Sequence, residues 1–253
     1  MLNLKTTGYA WVIACLLVLS FMPHPWEAVG LLTFLFMGTI ALGSFHIGLN
    51  FFLPSVNHIK TEKKVIALTF DDGPSPSTLA VLEVLAHYGA KATFFCIGAQ
   101  IEKHPEILLK IHDQGHLIGN HSFSHVNTFP IFSVKKMVAE IERTNEQIQQ
   151  LTGIKPEFFR PPFGVTTPRI AKALLATHMK SVGWNRRSLD TVLDDPQKIL
   201  QRTAEKLQAG DIVLFHDPLP TAAATLEAFL LQTAEKGWNF ERIDTLVAET
   251  SIP

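Results

Sequence analysis

Hydrophobic positions are unevenly distributed along this chain of 253 residues, and they divide it into two parts. Residues 8–53 carry a single charged side chain, Glu27, and form two apolar stretches at 8–22 and 28–53. The second stretch has ample length for a membrane span of about 20 residues. From about residue 59 onward, charged and apolar positions alternate as they do in a soluble domain.

We therefore predict a membrane anchor over residues 1–58 and a soluble domain over residues 59–253. The favoured anchor is a hairpin of two transmembrane helices. The alternative is one span, the second stretch, preceded by an interfacial segment. A cleaved signal peptide is disfavoured, because no small-residue cleavage site follows residue 22 and a second apolar stretch begins at once.

The side of the membrane is a conflict within the sequence. A hairpin places both of its ends on one side, together with Lys5, Lys60, Lys63 and Lys64. The positive-inside tendency would make that side cytoplasmic. The chemistry inferred below would more usually be needed outside, so we expect an extracytoplasmic domain, which a single span would explain directly.

Within the soluble part, strand-like and helix-like segments alternate. The predicted strands are 65–70, 92–97, 116–119, 157–160, 179–184 and 211–215, and the predicted helices are 79–87, 105–113, 133–151, 168–176, 196–208 and 221–236. This alternation predicts an α/β domain with a mainly parallel sheet that is closed or nearly closed. In such barrels the working residues lie where strands end.

Composition excludes some classes of function. Lys and Arg number 22 against 23 Asp and Glu, which argues against a nucleic-acid-binding surface. Two cysteines, Cys15 and Cys96, do not make a disulfide framework.

A pair of carboxylates, Asp71 and Asp72, follows the apolar run that begins at Val65, and Gly73-Pro74 ends it. Two adjacent anions at the tip of a buried strand repel each other, and a metal ion would offset that repulsion. The alternative is that these residues form the N-terminal cap of the next helix.

A second polar segment holds His121 and His125 after another predicted strand. Their i, i+4 spacing lets two imidazoles meet one ion from a single helical turn. Alone, this spacing arises easily by chance in a chain with 11 histidines. Together with an Asp, it supplies three N and O ligands and leaves one position open for water, as in catalytic zinc sites.

Three further strand ends carry polar residues. Arg160 lies before two prolines that fix the backbone, although a surface Arg beside a turn would look similar. The segment 183–190 follows the next strand. His216 ends an entirely apolar strand, where a buried or capping His is the alternative, and we expect Asp217 to cap the helix that follows.

Taken together, the motifs TFDDGP, H-S-x-x-H, R-P-P-F and L-x-H resemble the polysaccharide deacetylase family with the NodB homology domain, carbohydrate esterase family 4. The resemblance covers roughly residues 63–245. It implies a distorted (β/α) barrel with fewer than eight units.

The resemblance also implies roles for individual residues. Asp72, His121 and His125 would hold a divalent metal, usually Zn²⁺, with Co²⁺ or Ni²⁺ as alternatives. Asp71 would be the general base that takes a proton from the attacking water, and Arg160 would orient it.

The same resemblance assigns the leaving-group side. The Phe163 N–H would help hold the oxyanion, His216 would be the general acid, and Leu214 would line the pocket for the acetyl methyl group. Trp184 is expected to pack in the barrel near the site, with stacking on a sugar as the alternative role.

One segment departs from the family pattern W-x-x-D-x-x-D-W. Its first acidic position is Arg187, its final Trp is Thr191, and only Asp190 remains. We expect Asp190 to orient His216 or Arg160. Arg187 is either a contact to an anionic group on the substrate or a solvated loop residue.

These inferences predict a membrane-anchored, metal-dependent hydrolase that removes N-acetyl groups from a peptidoglycan, chitin-like or lipid-linked glycan and releases acetate. The short linker after Leu53 suggests a substrate near the bilayer. The expected partners are the glycan and the membrane, without nucleic acid, and the oligomeric state is left open. The alternatives are an O-acetyl esterase, a hydrolase of a non-sugar amide, and a non-catalytic carbohydrate-binding relative.

Overall fold

Two apolar helices precede the sheet. In the computed structural model, which describes residues 3–193 and 195–249, α1 spans Leu4–Phe21 and α2 spans Trp26–Phe45. At 1.5 Å per residue they are about 27 and 30 Å long, and both are long and apolar enough to cross a membrane. The rings of Trp11 and Phe36 stack with their centroids 5.1 Å apart, which joins the two helices as a hairpin.

The second apolar stretch does not stay helical to residue 53. After α2 the chain forms a short 3₁₀ turn at Ile47–Leu49 and then runs onto the barrel. Ile47, Phe51 and Leu53 are buried there. The hydrophobicity of these last residues therefore serves contact with the soluble domain, a use that hydropathy alone does not distinguish from a longer span.

All the strand pairs of the sheet are parallel, in the order β1-β6-β5-β4-β3-β2-β8-β7, and β9 also pairs with β2. The strands are β1 Ser55–Val56, β2 Val65–Asp71, β3 Thr93–Cys96, β4 Leu117–Asn120, β5 Phe158–Phe159, β6 Lys180–Val182, β7 Arg186–Arg187, β8 Ile212–His216 and β9 Asn239–Glu241. The sheet curls into an incomplete barrel, which confirms the predicted fold class. β1 lies before the predicted domain boundary at residue 58 and already belongs to the sheet.

Helices follow most strands and cover the outside of the sheet. They are α3 Pro76–His87, α4 Gly98–Lys103, α5 Pro105–Asp113, α6 Val134–Thr152, α7 Pro168–Thr177, α8 Pro196–Ala204, α9 Ala222–Ala234 and α10 Ile243–Glu249. α6 shows how sequence sets these bounds. The Ser133 side chain caps its first turn, and Gly153 ends it in a left-handed conformation with φ 75°.

Several elements differ from the prediction. α8 ends at Ala204 rather than at residue 208. The short elements β1, β7, β9, α4 and α10 were not predicted, because two to seven residues carry too little periodicity to identify.

The central strand β2 explains where the core lies. All seven of its residues are buried. Ile66, Leu68 and Phe70 pack outward with the helices, whereas Val65 and Ala67 pack inside the barrel. Because side chains alternate along a strand, Thr69 and Asp71 continue the inward-facing row.

Candidate active site

The candidate site forms where the strands end. In the parallel register, Asp71 of β2 lies opposite Phe95 of β3 and His216 of β8, and Cys96 of β3 lies opposite Asn120 of β4. The residues that follow β2, β4 and β8 therefore meet at one edge of the sheet. This is the carboxyl edge, formed by the C-terminal ends of the strands. A cleft of about 240 Å³ opens at this edge.

Three side chains in this cleft have the spacing of a metal site. His121 Nε2 lies 3.5 Å from Asp72 Oδ1, His125 Nε2 lies 3.4 Å from the same oxygen, and the two nitrogens are 3.1 Å apart. A tetrahedral ion with bonds of 2.0–2.1 Å has ligand separations of about 3.3 Å. Asp72, His121 and His125 therefore fit a divalent ion of the zinc type.

The loop that carries the two histidines is not a helical turn, so the helical explanation of their spacing was wrong. His121 follows β4 directly, and left-handed backbone at Ser122 (φ 65°) and His125 (φ 48°) folds the chain back. The Asn120 side chain accepts a hydrogen bond from Ser122 N, and Glu140 on α6 accepts one from Ser124 N at 2.7 Å. These contacts, rather than helix periodicity, bring the imidazoles together.

His121 is held so that one nitrogen remains available. Its Nδ1 lies 2.7 Å from the Arg160 carbonyl oxygen, which fixes the tautomer with Nε2 free to bind an ion. Burial, together with the neighbouring His125, lowers the pKa of His121 well below its ordinary value of 6.5. The imidazole is thus neutral, the form that ligates a metal.

Asp71 is paired with a completely buried arginine. Arg160 Nη1 donates to Asp71 Oδ1 at 2.7 Å and to Thr69 Oγ1 at 2.8 Å, and Nη2 donates to the Gly183 carbonyl at 2.8 Å. The guanidinium also lies 4.1 Å above the Phe95 ring. Burial lowers the pKa of Arg160, and Asp71 opposes that effect. The other carboxylate oxygen, Asp71 Oδ2, lies 3.8 Å from His121 Nε2.

On the other flank, Asp190 holds His216 rather than Arg160. Asp190 Oδ1 accepts from His216 Nδ1 at 2.7 Å, and Oδ2 accepts from the His216 backbone N–H at 2.9 Å. Burial alone would lower the pKa of His216, but the bond to Asp190 and the carboxylates of the cleft outweigh it and raise the pKa above 6.5. The imidazole is therefore prepared to carry a proton on Nε2 near neutral pH.

The expectation that Asp217 caps the next helix was wrong. Thr221 is the N-terminal cap of α9, and Asp217 is fully buried beneath the loop that follows β2. Its carboxylate accepts a hydrogen bond from Thr78 Oγ1. A Cβ at Gly73 would collide with that carboxylate, which explains the glycine after Asp72. Burial raises the pKa of Asp217 to about 7.

The rim of the cleft contains the remaining predicted residues. Leu214 is buried at its base, and Trp184 packs against Gly164 beside it. Phe163 has a left-handed backbone (φ 61°), and its ring lies 4.7 Å from that of His125. Within residues 3–193 and 195–249, no hydrogen bond uses the Phe163 N–H. Arg187 is exposed on the same rim.

Sequence reasoning did not identify the residues that support this arrangement. They are Thr69, Asn120, Glu140, Gly183 and Ser188. Thr69 and Asn120 stand beside the motif residues and could have been noticed as polar side chains on buried strands. Glu140 and Gly183 are distant in sequence from the groups that they hold, so no local pattern identifies them.

The fold and the site together define a class of protein. Its members are incomplete parallel (β/α) barrels with an Asp-His-His cluster at the carboxyl edge of the sheet. The family model described as "Polysaccharide deacetylase" matches residues 58–182. The chain belongs to this polysaccharide deacetylase family.

Individual relatives agree with this assignment. The chain is 30% identical over 195 residues to the peptidoglycan-N-acetylmuramic acid deacetylase PdaC of Bacillus subtilis, covering 77% of this chain and 41% of PdaC. It is 31% identical over 193 residues to a peptidoglycan-N-acetylglucosamine deacetylase of Bacillus cereus, covering 71% of this chain and 69% of that protein. The chain thus spans about two fifths of PdaC and two thirds of the second relative.

Solved structures match the fold. PdaC superposes with a TM-score of 0.69 at 29% identity, covering 75% of this chain and 93% of the PdaC chain. A pseudoenzyme of carbohydrate esterase family 4 from Bacillus anthracis superposes with a TM-score of 0.71 at 26% identity, covering 77% of this chain and 69% of that chain. Family membership therefore does not by itself decide whether a chain is catalytic.

Proposed function

We propose that this protein is a membrane-anchored, metal-dependent N-deacetylase that hydrolyses the acetamido group of an N-acetylated glycan and releases acetate. One observation carries the proposal. The ligand atoms of Asp72, His121 and His125 lie 3.1–3.5 Å from one another, and two oriented proton-transfer groups lie beside them. Those groups are Asp71, held by Arg160, and His216, held by Asp190.

Asp72, His121 and His125 would hold the divalent ion, for which Zn²⁺ is the leading candidate. When bound, such an ion lowers the pKa of water to about 7 and polarises a carbonyl group. Asp71 Oδ1 is occupied by Arg160, so Oδ2 is the atom that takes the proton of the attacking water. The hydrogen bond from the adjacent guanidinium fixes the orientation of this carboxylate.

The amine leaves only when it is protonated, and His216 supplies that proton. Because Nδ1 is bonded to Asp190, the transferred proton resides on Nε2. General acid–base assistance of this kind contributes roughly 10²–10⁴ in rate. The unused Phe163 N–H would stabilise the oxyanion, and buried Leu214 would contact the acetyl methyl group.

The names of the relatives support peptidoglycan as the glycan, through either of its N-acetylated sugars. The hairpin of α1 and α2 supports membrane anchoring, since each helix has the length and composition of a span. An extracytoplasmic catalytic domain would meet such a substrate. Every position of the metal cluster and of the two proton-transfer pairs is intact, which favours an active enzyme over a pseudoenzyme.

The decisive experiment measures acetate release by the detergent-solubilised full chain from N-acetylglucosamine oligomers and from peptidoglycan fragments. We expect turnover that chelation abolishes, that Zn²⁺ restores, and that Asp71→Asn reduces by at least about 10²-fold. Glu157→Gln, which removes an exposed carboxylate paired with Lys180 on the outside of the barrel, serves as the control. Turnover that persists without metal would refute the mechanism.

Two comparisons complete the test. O-acetylated oligomers in the same assay separate amide from ester hydrolysis, because one site of this kind serves both bonds. Protease treatment of intact cells, followed by detection of the fragment, separates an extracytoplasmic from a cytoplasmic domain.

A further inference from the structure

The anchor and the cleft are joined directly. Thr166 N donates to the Ser44 carbonyl at 2.9 Å, and Thr166 Oγ1 donates to the Gly43 carbonyl at 3.2 Å. Thr166 is almost fully buried and lies three residues after Phe163, on the same loop. The last turn of α2 is therefore bonded to the loop that forms one rim of the cleft.

This junction fixes the height of the cleft above the membrane. α2 is about 30 Å long, which equals the thickness of the hydrocarbon core. Leu42 and Phe45 in its last turn expose 57% and 69% of their surfaces, as lipid-facing side chains do. Three extended residues reach at most about 10 Å. The rim at Phe163 therefore lies within roughly 15 Å of the hydrocarbon boundary.

A second, independent feature is Arg187 on the wall of the cleft. Within residues 3–193 and 195–249, Arg160 pairs with Asp71 and Arg186 pairs with Asp211, but no carboxylate pairs with Arg187. The Arg187 guanidinium lies 5.7 Å from the centre of the Trp184 ring, and its side chain is exposed on the wall of the cleft.

An unpaired guanidinium in a cleft recognises an anion, and its planar fork suits phosphate. In a 2-acetamido sugar, the acetamido group is on C2 and a phosphate at the anomeric position is on C1, the adjacent carbon. A cation on the wall of the same small cleft as the metal cluster can therefore contact that phosphate while the acetamido group occupies the site.

From these two features we propose that the substrate is an N-acetylated sugar joined through phosphate to a membrane lipid, and that Arg187 binds the phosphate. The proposal rests on the membrane-anchored deacetylase function proposed above, and it favours a lipid-linked sugar over the peptidoglycan polymer that the names of the relatives support. The cleft is held at the membrane surface, where the phosphate of a lipid-linked sugar lies.

The test uses the full chain in nanodiscs and four substrates with the same sugar. They are N-acetylglucosamine linked through phosphate to a polyprenol, N-acetylglucosamine 1-phosphate, an alkyl glycoside of N-acetylglucosamine, and an N-acetylglucosamine tetramer. We expect the highest kcat/KM for the lipid phosphate. Arg187→Gln should lower kcat/KM by about 10- to 100-fold on both phosphate substrates and by a clearly smaller factor on both neutral ones.

Two further variants sharpen the result. Arg187→Lys, which keeps the charge, should recover part of the loss on phosphate substrates. Lys198→Gln removes one positive charge from an exposed position on α8, outside the cleft lining, and should leave all four rates unchanged.

An equal loss on all four substrates in Arg187→Gln would overturn the inference, since Arg187 would then only support the cleft. Equal kcat/KM for the tetramer and the lipid phosphate in the unaltered protein would also overturn it, while leaving the deacetylase proposal intact. Failure of the proposed function gives a different result, namely no acetate from any of the four.

Discussion

Both ends of the sheet bury ionisable side chains, but they use them differently. At the carboxyl edge, Asp71 pairs with Arg160 and His216 pairs with Asp190 around an open cleft, and the pairing raises the pKa of His216. At the opposite edge, His116 is buried and its Nδ1 accepts a hydrogen bond from Ala92 N at 3.2 Å.

The environment of His116 favours the neutral form. Burial, with Lys91 and Arg242 nearby, lowers its pKa to about 4. The same residue type is thus prepared to donate a proton at one edge and only to support the backbone at the other. In barrels of this kind, residues at the carboxyl edge serve chemistry and those at the opposite edge serve stability.

The largest expected effect is at the metal cluster. Asp72→Asn replaces the one carboxylate among the three proposed ligands, so metal affinity and the activation of water should both fall. We expect acetate release to drop by at least about 10³-fold, with the loss of bound metal measured on the same sample. The fold should persist, because a third of the Asp72 side chain is exposed.

Asp244→Asn is the matched change at the other edge, where Asp244 pairs with Arg242 at 2.7 Å. It should leave acetate release and metal content unchanged. Full activity in Asp72→Asn would show that catalysis does not depend on this carboxylate of the carboxyl edge, and the functional difference between the two edges would be lost.

The next effect concerns Arg160, which joins chemistry to stability. Arg160→Met leaves Asp71 as a buried, unpaired anion, which costs about 3–5 kcal/mol of unfolding free energy. Activity should fall as well, because nothing then orients Asp71, the proposed general base. Thermal unfolding and acetate release of the detergent-solubilised chain measure the two losses.

The double variant Asp71→Asn/Arg160→Met separates these losses. Because Asp71→Asn removes the unpaired carboxylate, the double variant should recover stability but not activity. A double variant that is as unstable as Arg160→Met would show that the ion pair is not the cause.

The two edges also differed in how far sequence could predict them. Asp71, Asp72, His121 and His125 stand in short motifs after strands, so their convergence followed from the rule that parallel strands end together. The pairing of Asp190 with His216 spans 26 residues, and the alternative partner, Arg160, could not be excluded without coordinates. Nothing near His116 in the sequence indicates that it is buried, because its charged neighbours Lys91 and Arg242 lie in the loop before β3 and directly after β9.

The fold shows the same division between local and distant causes. Long periodic segments such as α5 and α6 were predicted within one residue of their observed ends. The end of α2 was not, because Ile47 and Leu53 after it are apolar for contact with the barrel. Asp217 was misassigned for a similar reason, since its partner Thr78 belongs to another helix.

A smaller effect is expected from Asp190→Asn, through the pH dependence of turnover. The variant removes the charge that raises the pKa of His216, so His216 loses its proton at a lower pH. The alkaline limb of the kcat profile should therefore move to lower pH, with about a 10-fold loss of activity near pH 8. An unshifted limb with a uniformly reduced rate would mean that Asp190 only supports the loop.

The smallest effect tests the opposite edge. The pKa of His116 is about 4 in the folded chain and 6.5 in the unfolded one, so the unfolded state takes up a proton first as the pH falls. Stability is therefore lost between these values, by about 1 kcal/mol from pH 6.5 to pH 5.5. His116→Asn keeps an acceptor for Ala92 N but cannot titrate, so its unfolding free energy should fall by about 1 kcal/mol less over that interval.

The control is His178→Asn at an exposed left-handed position that Asn tolerates, and it should follow the unaltered protein. If His116→Asn also followed the unaltered protein, folding would not lower the pKa of His116. The contrast between His116 and His216 would then fail.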